Sequence, residues 1–507
     1  MQAPLTDSTV DRPPRQSGPG ERATRPYLLP PVVGSAWWVW GLAGALFAVY
    51  TTLSVRIHER MLSNSYDLGI FEQVVRSYAD GHLPVSELKA PGFPVLGDHF
   101  SPVLALVAPF YWVWRTPVTL LVVQAALVAV GMVPLVLSAR RRLGSGPAAV
   151  VGVCYGLSWG VASAIGFDFH EVAFAVPLLA FSLAALAEGR LRAAACWALP
   201  LLLVKEDLGL TVAVIGLLIA RRGGRRLGLG TAAAGVAGSL LAVLVVLPAF
   251  NPGGDFAYWS YVSGRGDGGS GGGPGGGPGG GPGSTDTLVA GLLYKGTIGL
   301  ITPEAKATTL LFVLAVTVFL ALRSSRAWVA VPTLVWRFLS TNAFHWGTGY
   351  HYSLVLMPIV FAALVEALAA RRARPGSVRR HLLGTAAVCL LLLPQFPFWQ
   401  LVQPATWRSD PRLAVAHRLI DRIPDGATVQ ASTLLVPQLT DRTTVGLFGW
   451  EPSRPDPEWI LVDTWTPWQK RWPLTPEIER NRLNWHRAHG YRDVADVDGY
   501  VLLTRTG

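Results

Sequence analysis

The acids, histidines and lysines of this chain fall in a few short clusters, of types that could move protons or bind an anion. In Tyr66-Asp67-Leu68-Gly69-Ile70-Phe71-Glu72, Asp67 opens a helix predicted to run through Tyr78, with Leu68, Phe71, Val75 and Tyr78 spaced to lie on a membrane surface. A carboxylate there serves either as a helix cap, accepting backbone N–H bonds near the positive end of the dipole, or as a general base. Gly97-Asp98-His99-Phe100-Ser101-Pro102 sets a carboxylate beside an imidazole, a pair that could exchange protons or close a turn before the apolar run that follows. Phe167-Asp168-Phe169-His170-Glu171 and Lys205-Glu206-Asp207 stand between apolar stretches. Ionisable groups at membrane depth are costly unless paired or hydrated, so Lys205, Glu206 and Asp207 read as a functional cavity or an internal ion pair, an exposed loop being the plain alternative. His345 and Tyr350-His351-Tyr352 offer donors and aromatic faces that could hold a sugar or phosphate, or could anchor the end of a span. Asp168, His170, Glu171 and His351 bear metal-ligating atoms, but Asp-x-His-Glu is not a diagnostic spacing; a divalent metal is an option and no cofactor is expected.

The elements that must position these clusters are apolar. Of 507 residues, 51% are hydrophobic and 15% charged, with mean hydropathy +0.37, whereas soluble domains carry about 25% charge. Runs approaching the roughly 20 residues that cross about 30 Å of hydrocarbon make this an α-helical polytopic membrane protein. Cys154, Cys196 and Cys389 lie inside such runs as small hydrophobes. The net charge of +11 comes from arginines between spans, which orient a membrane protein, so no nucleic-acid partner is expected. The chain has no Walker A loop, Rossmann fingerprint, nucleophile elbow or HExxH helix, which argues against cytosolic nucleotide chemistry.

Residues 1–33 read as a disordered cytoplasmic tail and Ser35 to Val55 as an uncleaved first span. After a polar first outer loop at 56–100, Ser101 to Trp114 is short and is expected to be re-entrant or interfacial. Further crossings are predicted near 117–138, 147–166, 172–187, 193–204, 208–220, 228–249, 304–322, 327–340, 353–370 and 382–399, about eleven in all. This count gives Arg140–Arg142, Arg190, Arg192, Arg221, Arg222, Arg225, Arg226, Arg323, Arg326 and the arginines of 371–380 to inner loops. The segments 193–204 and 208–220 are short for a crossing and could form a broken hairpin. Residues 251–286 form a Gly/Pro-rich flexible outer loop, whose Arg265-Gly266-Asp267 is read as chance. Residues 404–507 are expected to form a small extracytoplasmic α/β domain, with a helix at Leu413–Ile423 and strands at 428–431, 443–447, 459–462 and 500–503.

In order, YDLGIFEQ (66–73), LGDHFSP (96–102), FDFHE (167–171), LLVKEDLGL (202–210) and ASTLLVPQLTDR (431–442) resemble the bacterial membrane proteins of the domain-of-unknown-function 2079 family over roughly residues 40–465. That family is similar in layout to the GT-C membrane glycosyltransferases. The resemblance implies a polyprenyl-phosphate-sugar donor, a cell-envelope glycan or protein acceptor, and a site at the outer face of the plasma membrane. Carried over, Asp67 becomes the catalytic base with Asp98 beside it. His99, Asp168, His170, Glu171, Glu206, Asp207 and His351 line the substrate cavity, and Lys205 or Arg337 offsets phosphate charge. The familiar GT-C pattern has two adjacent acids, whereas here Leu68 follows Asp67 and Glu72 lies five positions on. A transporter or flippase, and a non-catalytic membrane scaffold, are the alternative readings.

Overall fold

A helix satisfies its own backbone polar groups, which is why apolar segments in hydrocarbon adopt it. In the computed structural model, which describes residues 36–254, 297–467 and 470–506, the described apolar segments are predominantly helical. Helix α1 (Trp37–Glu59) leads into the first loop, which holds α2 (Ile70–Ala79), the two-residue strands β1 (Val85–Ser86) and β2 (Phe93–Pro94), and α3 (Pro102–Val113). There follow α4 (Val118–Leu143), α5 (Ser145–Gly156), α6 (Trp159–Ile165), α7 (Glu171–Ala187), α8 (Leu191–Leu203), α9 (Leu208–Arg221) and α10 (Arg225–Phe250). The second half brings α11 (Glu304–Ala315), α12 (Val331–Leu339), α13 (His351–Ala369) and α14 (Pro375–Gln395). Among the described residues five of these, α1, α4, α10, α13 and α14, are long and apolar enough to cross a membrane, and α5–α6, bent by 43°, makes a sixth if counted as one span. The stretch at 304–322 does not run as one helix: Val318 and Phe319 turn left-handed and break it. The tail at 1–33 and most of 251–286, with Arg265-Gly266-Asp267, lie outside the described residues.

The arginine-rich connections and the clusters holding Asp67, Asp98, Asp168–Glu171 and Lys205–Asp207 lie at opposite ends of the bundle. At one end Arg141 and Arg190 pair with Glu188, and Arg222 and Arg326 pair with Glu366. At the other end lie the first loop, the 166–171 connection, Lys205 and His351. α8 and α9 run between these ends, from Arg190 to Lys205 and back to Arg222. α3 does not: Tyr111 donates to the Glu72 carboxylate, Trp112 donates to the Ala79 carbonyl at 2.6 Å, and Arg115 pairs with Asp80 at 2.8 Å, so the segment stays with the first loop. α9 and α10 pack backbone to backbone; a Cβ at Gly216 would meet the Ala232 nitrogen at 2.5 Å.

Two expectations need correction. Leu68, Phe71 and Val75 are buried within the protein and do not rest on a membrane surface; Phe71, for one, packs edge-on against Phe169 at 5.7 Å and His170 at 5.6 Å. Cys196 is exposed, while Cys154 and Cys389 are buried.

A C-terminal sheet follows α15 (Pro411–Ile420) and has strand order β4-β3-β5-β7-β6, from β3 (Thr428–Ala431), β4 (Thr444–Leu447), β5 (Trp459–Asp463), β6 (Tyr491–Val497) and β7 (Tyr500–Arg505). β3 pairs in parallel with β4 and β5, and β7 antiparallel with β5 and β6. Alternation along the strands splits the sheet into two faces. Val429, Ala431, Val445, Leu447, Leu461 and Leu502 join the main core, while Ile460, Val462, Val501 and Leu503 pack with Leu483 of α16 (Pro476–Ala488). The sheet is bolted to the first loop. Gln73 donates to the Val445 carbonyl at 3.0 Å, Arg76 donates to the carbonyls of Thr440 and Thr443, and Arg454 pairs with Glu87 at 3.2 Å.

Candidate functional site

Asp67 lies in a widened helical turn, Ser65–Gly69, that opens into α2. The cap position of this turn is Asn64, not Asp67, and the Asp67 carboxylate meets the Nε2 of His170 at 2.9 Å. The loop that brings His170 there is pinned from two sides. From α4, Gln124 accepts from the His170 backbone N–H at 2.9 Å and donates to the Asp168 carbonyl at 2.6 Å. From the first loop, Asn64 donates to the Asp168 carboxylate through its backbone N–H at 2.8 Å and its amide at 3.1 Å. Asp168 has φ +68°, a left-handed conformation that Asp and Asn tolerate better than most residues. Burial, reinforced by the charge of Asp67, pushes its carboxyl up to about 6.

The His170 ring stacks on His351 with centroids 3.4 Å apart, and Phe167 stacks on His170 from 5.7 Å. One residue on, Glu171 receives Lys205 Nζ at 2.7 Å. Glu206 accepts from the Phe100 backbone N–H at 3.3 Å, joining the Lys205 connection to the first loop. There Asp98 pairs with Lys89 at 2.9 Å and lies 3.6 Å from His99 Nε2. Burial pushes the Asp98 carboxyl up, but Lys89 and His99 outweigh it and hold it below its ordinary value. Burial and the charge of Lys205 lower His99 to about 4, so its ring is neutral near pH 7. Asp67, Asp98, His99, Asp168, His170, Glu171, Lys205, Glu206 and His351 therefore form one connected polar layer. Within it the Asp67 side chain keeps 21% of its exposure against 9% for Asp98 and 1% for Glu171, so Asp67 is the carboxylate an incoming hydroxyl can reach.

Three candidates are held differently. Arg337 is fully buried and spends its nitrogens on the carbonyls of His345 at 2.8 Å and Gly347 at 3.0 Å and on Ser353 Oγ at 3.1 Å, so it braces the loop before α13 and is not presented to an anion. Asp207 starts α9 without a side-chain cap bond. Glu72, the second acid of the loop, is buried against Tyr111, away from Asp67. Asp168, His170, Glu171 and His351 do not converge on a common point, since Asn64 and Lys205 occupy the two carboxylates and the imidazoles lie face to face; among the described residues no group of three or more His, Cys, Asp or Glu could hold a metal ion.

Sequence reasoning missed Lys89, Asn64, Gln124 and the aromatic set around Tyr66. Lys89 Nζ sits 5.3 Å from the Tyr66 ring centre, and Trp450 and Trp472 of the C-terminal region approach the same ring at 6.1 and 4.7 Å. A signal for Lys89 existed: the chain has only five lysines, Lys89, Lys205, Lys295, Lys306 and Lys470, and none falls in an arginine cluster.

The fold is shared with ArnT from Cupriavidus metallidurans. Against ArnT bound to undecaprenyl phosphate the TM-score is 0.56 at 13% identity, over 92% of this chain and 98% of ArnT. Against ArnT in the apo state it is 0.51 at 12% identity, over 93% and 98%. A more distant likeness is to AglB from Archaeoglobus fulgidus, an archaeal oligosaccharyltransferase in complex with an inhibitory peptide and a dolichol-phosphate (TM-score 0.37, 10% identity, 85% of this chain and 70% of AglB). At 12–13% identity the likeness to ArnT is one of fold alone. No curated protein sequence matches the chain significantly. The sequence pattern of the family described as "Predicted membrane protein (DUF2079)" matches residues 57–502, which take in the polar layer and the C-terminal sheet up to the middle of β7, and this chain belongs to that family of membrane proteins.

Proposed function

We propose that this protein is a GT-C-type glycosyltransferase that moves a sugar from a polyprenyl-phosphate carrier to a cell-envelope glycan or protein at the outer face of the plasma membrane. The observation that carries the reading is the reachable Asp67 carboxylate, held by His170 in a layer that also contains Lys89 and Lys205. Asp67 takes the proton of an acceptor hydroxyl as its oxygen attacks the anomeric carbon; the bond from that carbon to the phosphate oxygen breaks, and the carrier leaves as its phosphate. His170 fixes the orientation of the base. Lys205 and Lys89 supply positive charge against which the departing phosphate is stabilised, each already oriented by a carboxylate. The undecaprenyl phosphate bound to ArnT supports this class of carrier. In this reading the N-terminus is cytoplasmic, about eleven segments cross the membrane, the arginine end faces inward, and the sheet is an extracytoplasmic domain roofing the site.

The test is transfer of labelled sugar from a panel of polyprenyl-phosphate donors by the purified chain. Asp67→Asn is expected to lower the rate by 10²- to 10⁴-fold, roughly the range of general-base catalysis, while leaving donor binding in place. Transfer by Asp67→Asn as fast as by the unaltered chain would refute the assignment.

A further inference from the structure

At the arginine end of the bundle, on the side away from the polar layer, α5 and α14 diverge to leave a groove of about 390 Å³. Its mouth is formed by Arg372 and Arg379, and its floor by Leu143, Val150, Leu382 and Ala386. Pro147 and Pro375, which also border it, belong to the first turns of α5 and α14, so two helix N-termini add partial positive charge at the mouth. Both arginines are exposed. The two carboxylates described at this end are already engaged, Glu188 by Arg141 and Arg190 and Glu366 by Arg222 and Arg326, so the charge of the mouth is not neutralised from within the described residues. Beyond Arg379 the lining of α14 is apolar, Leu382, Leu383 and Ala386, and the exposed Leu390 and Leu391 carry that apolar surface on along the helix, so that Leu382 to Leu391 spans nine residues or about 14 Å at 1.5 Å per residue.

We infer that this groove binds one anionic phospholipid of the leaflet at the arginine end, its phosphate between Arg372 and Arg379 and an acyl chain along α14. Charge selects the headgroup, because a zwitterionic lipid brings no net charge to an unneutralised basic mouth. Depth selects a lipid over a soluble anion, because the groove continues as hydrocarbon-facing surface below the arginines. The site is separate from the polar layer and does not depend on its chemistry.

The experiment uses the full-length protein in neutral detergent, titrated with phosphatidylglycerol or with phosphatidylcholine and read by native mass spectrometry and by the lipid-dependent rise in unfolding midpoint. Retention of one phosphatidylglycerol and a midpoint rise specific to it are expected. Arg372→Gln/Arg379→Gln should weaken phosphatidylglycerol binding about 30-fold, the equivalent of about 1 kcal/mol for each arginine. Ala386→Trp, which fills the floor and leaves both arginines, should weaken it as well, and the lipid-free midpoints report whether each variant folds. Equal retention of the two lipids, or unchanged phosphatidylglycerol binding in the folded double glutamine variant, overturns the proposal. So does a change of oligomeric state in that variant without a change in lipid binding, which would assign the groove to a second copy of the chain.

Discussion

The Lys205–Glu171 pair offers the sharpest test of how the polar layer is built. The two groups meet at 2.7 Å with side-chain exposures of 13% and 1%, so each is the other's main replacement for water. Removing one partner of such a pair costs about 3–5 kcal/mol, because a buried charge is left without compensation, whereas removing both is close to neutral. The two single losses should differ here. Lys205→Met strands Glu171 near Glu206 and should cost the full about 3–5 kcal/mol. Glu171→Gln leaves Lys205 within the fields of Glu206 and Asp207 and should cost less, about 1–2 kcal/mol, the cost of a lost charged hydrogen bond. The double variant should lie near the milder single one, giving a coupling energy about equal to the larger single loss, about 3–5 kcal/mol. Denaturant unfolding of the four proteins in detergent, followed by tryptophan fluorescence, closes the cycle. Additive losses, with the double variant as unstable as the two singles combined, would refute the argument that these groups exist for each other.

Three other outcomes are expected. With its carboxyl raised from 3.8 to about 6, Asp168 contributes stability that is full below pH 3.8 and is lost as pH rises through 6, up to about 3 kcal/mol at 1.36 kcal/mol per unit; Asp168→Asn, which suits the left-handed backbone, should flatten that part of a pH series of unfolding midpoints. Gly216→Leu forces α9 and α10 apart where their backbones touch, and should destabilise the protein by about 1–3 kcal/mol or more in the same unfolding assay. Arg76→Ala removes the charged donors to Thr440 and Thr443 and should cost about 2 kcal/mol of docking, seen as roughly 30-fold faster proteolysis in the stretch 403–410 that joins α14 to the sheet, with the helices themselves unaffected.

Legibility followed the physics of each region. The strands around Val429, Val445, Ile460 and Leu502 were visible because buried and half-buried residues alternate or run together within them. β6 was not: YRDVADV is largely exposed at a sheet edge, so no hydrophobic pattern marks it. α16 escaped for the same reason, only Glu479 and Leu483 being buried in PEIERNRLNWHRA. In the site, the residue types of Asp67, His170, Lys205 and Glu171 could be read, but not their partners. Asp67 and His170 are 103 residues apart, and the choice between helix cap and His170-bound acid depends on a loop geometry that Gln124, on another helix, imposes. The arginines misled at one position: Arg337 has the same composition-level signature as a ligand-binding cation, and only its three backbone and hydroxyl partners show that it is a brace.

The brevity of α8 and α9 has a mechanical outcome. Thirteen and fourteen residues rise only about 20 Å, roughly 10 Å short of the usual hydrocarbon thickness. If the hairpin crosses the bilayer, as the proposed arrangement has it, lipid around it sags toward the Lys205 end, and thinning of that kind costs fractions of a kcal/mol per ångström. Under the proposed function, a phosphate carried on a long isoprenoid would follow that slope within its leaflet, and the dent itself would bring the donor toward Asp67.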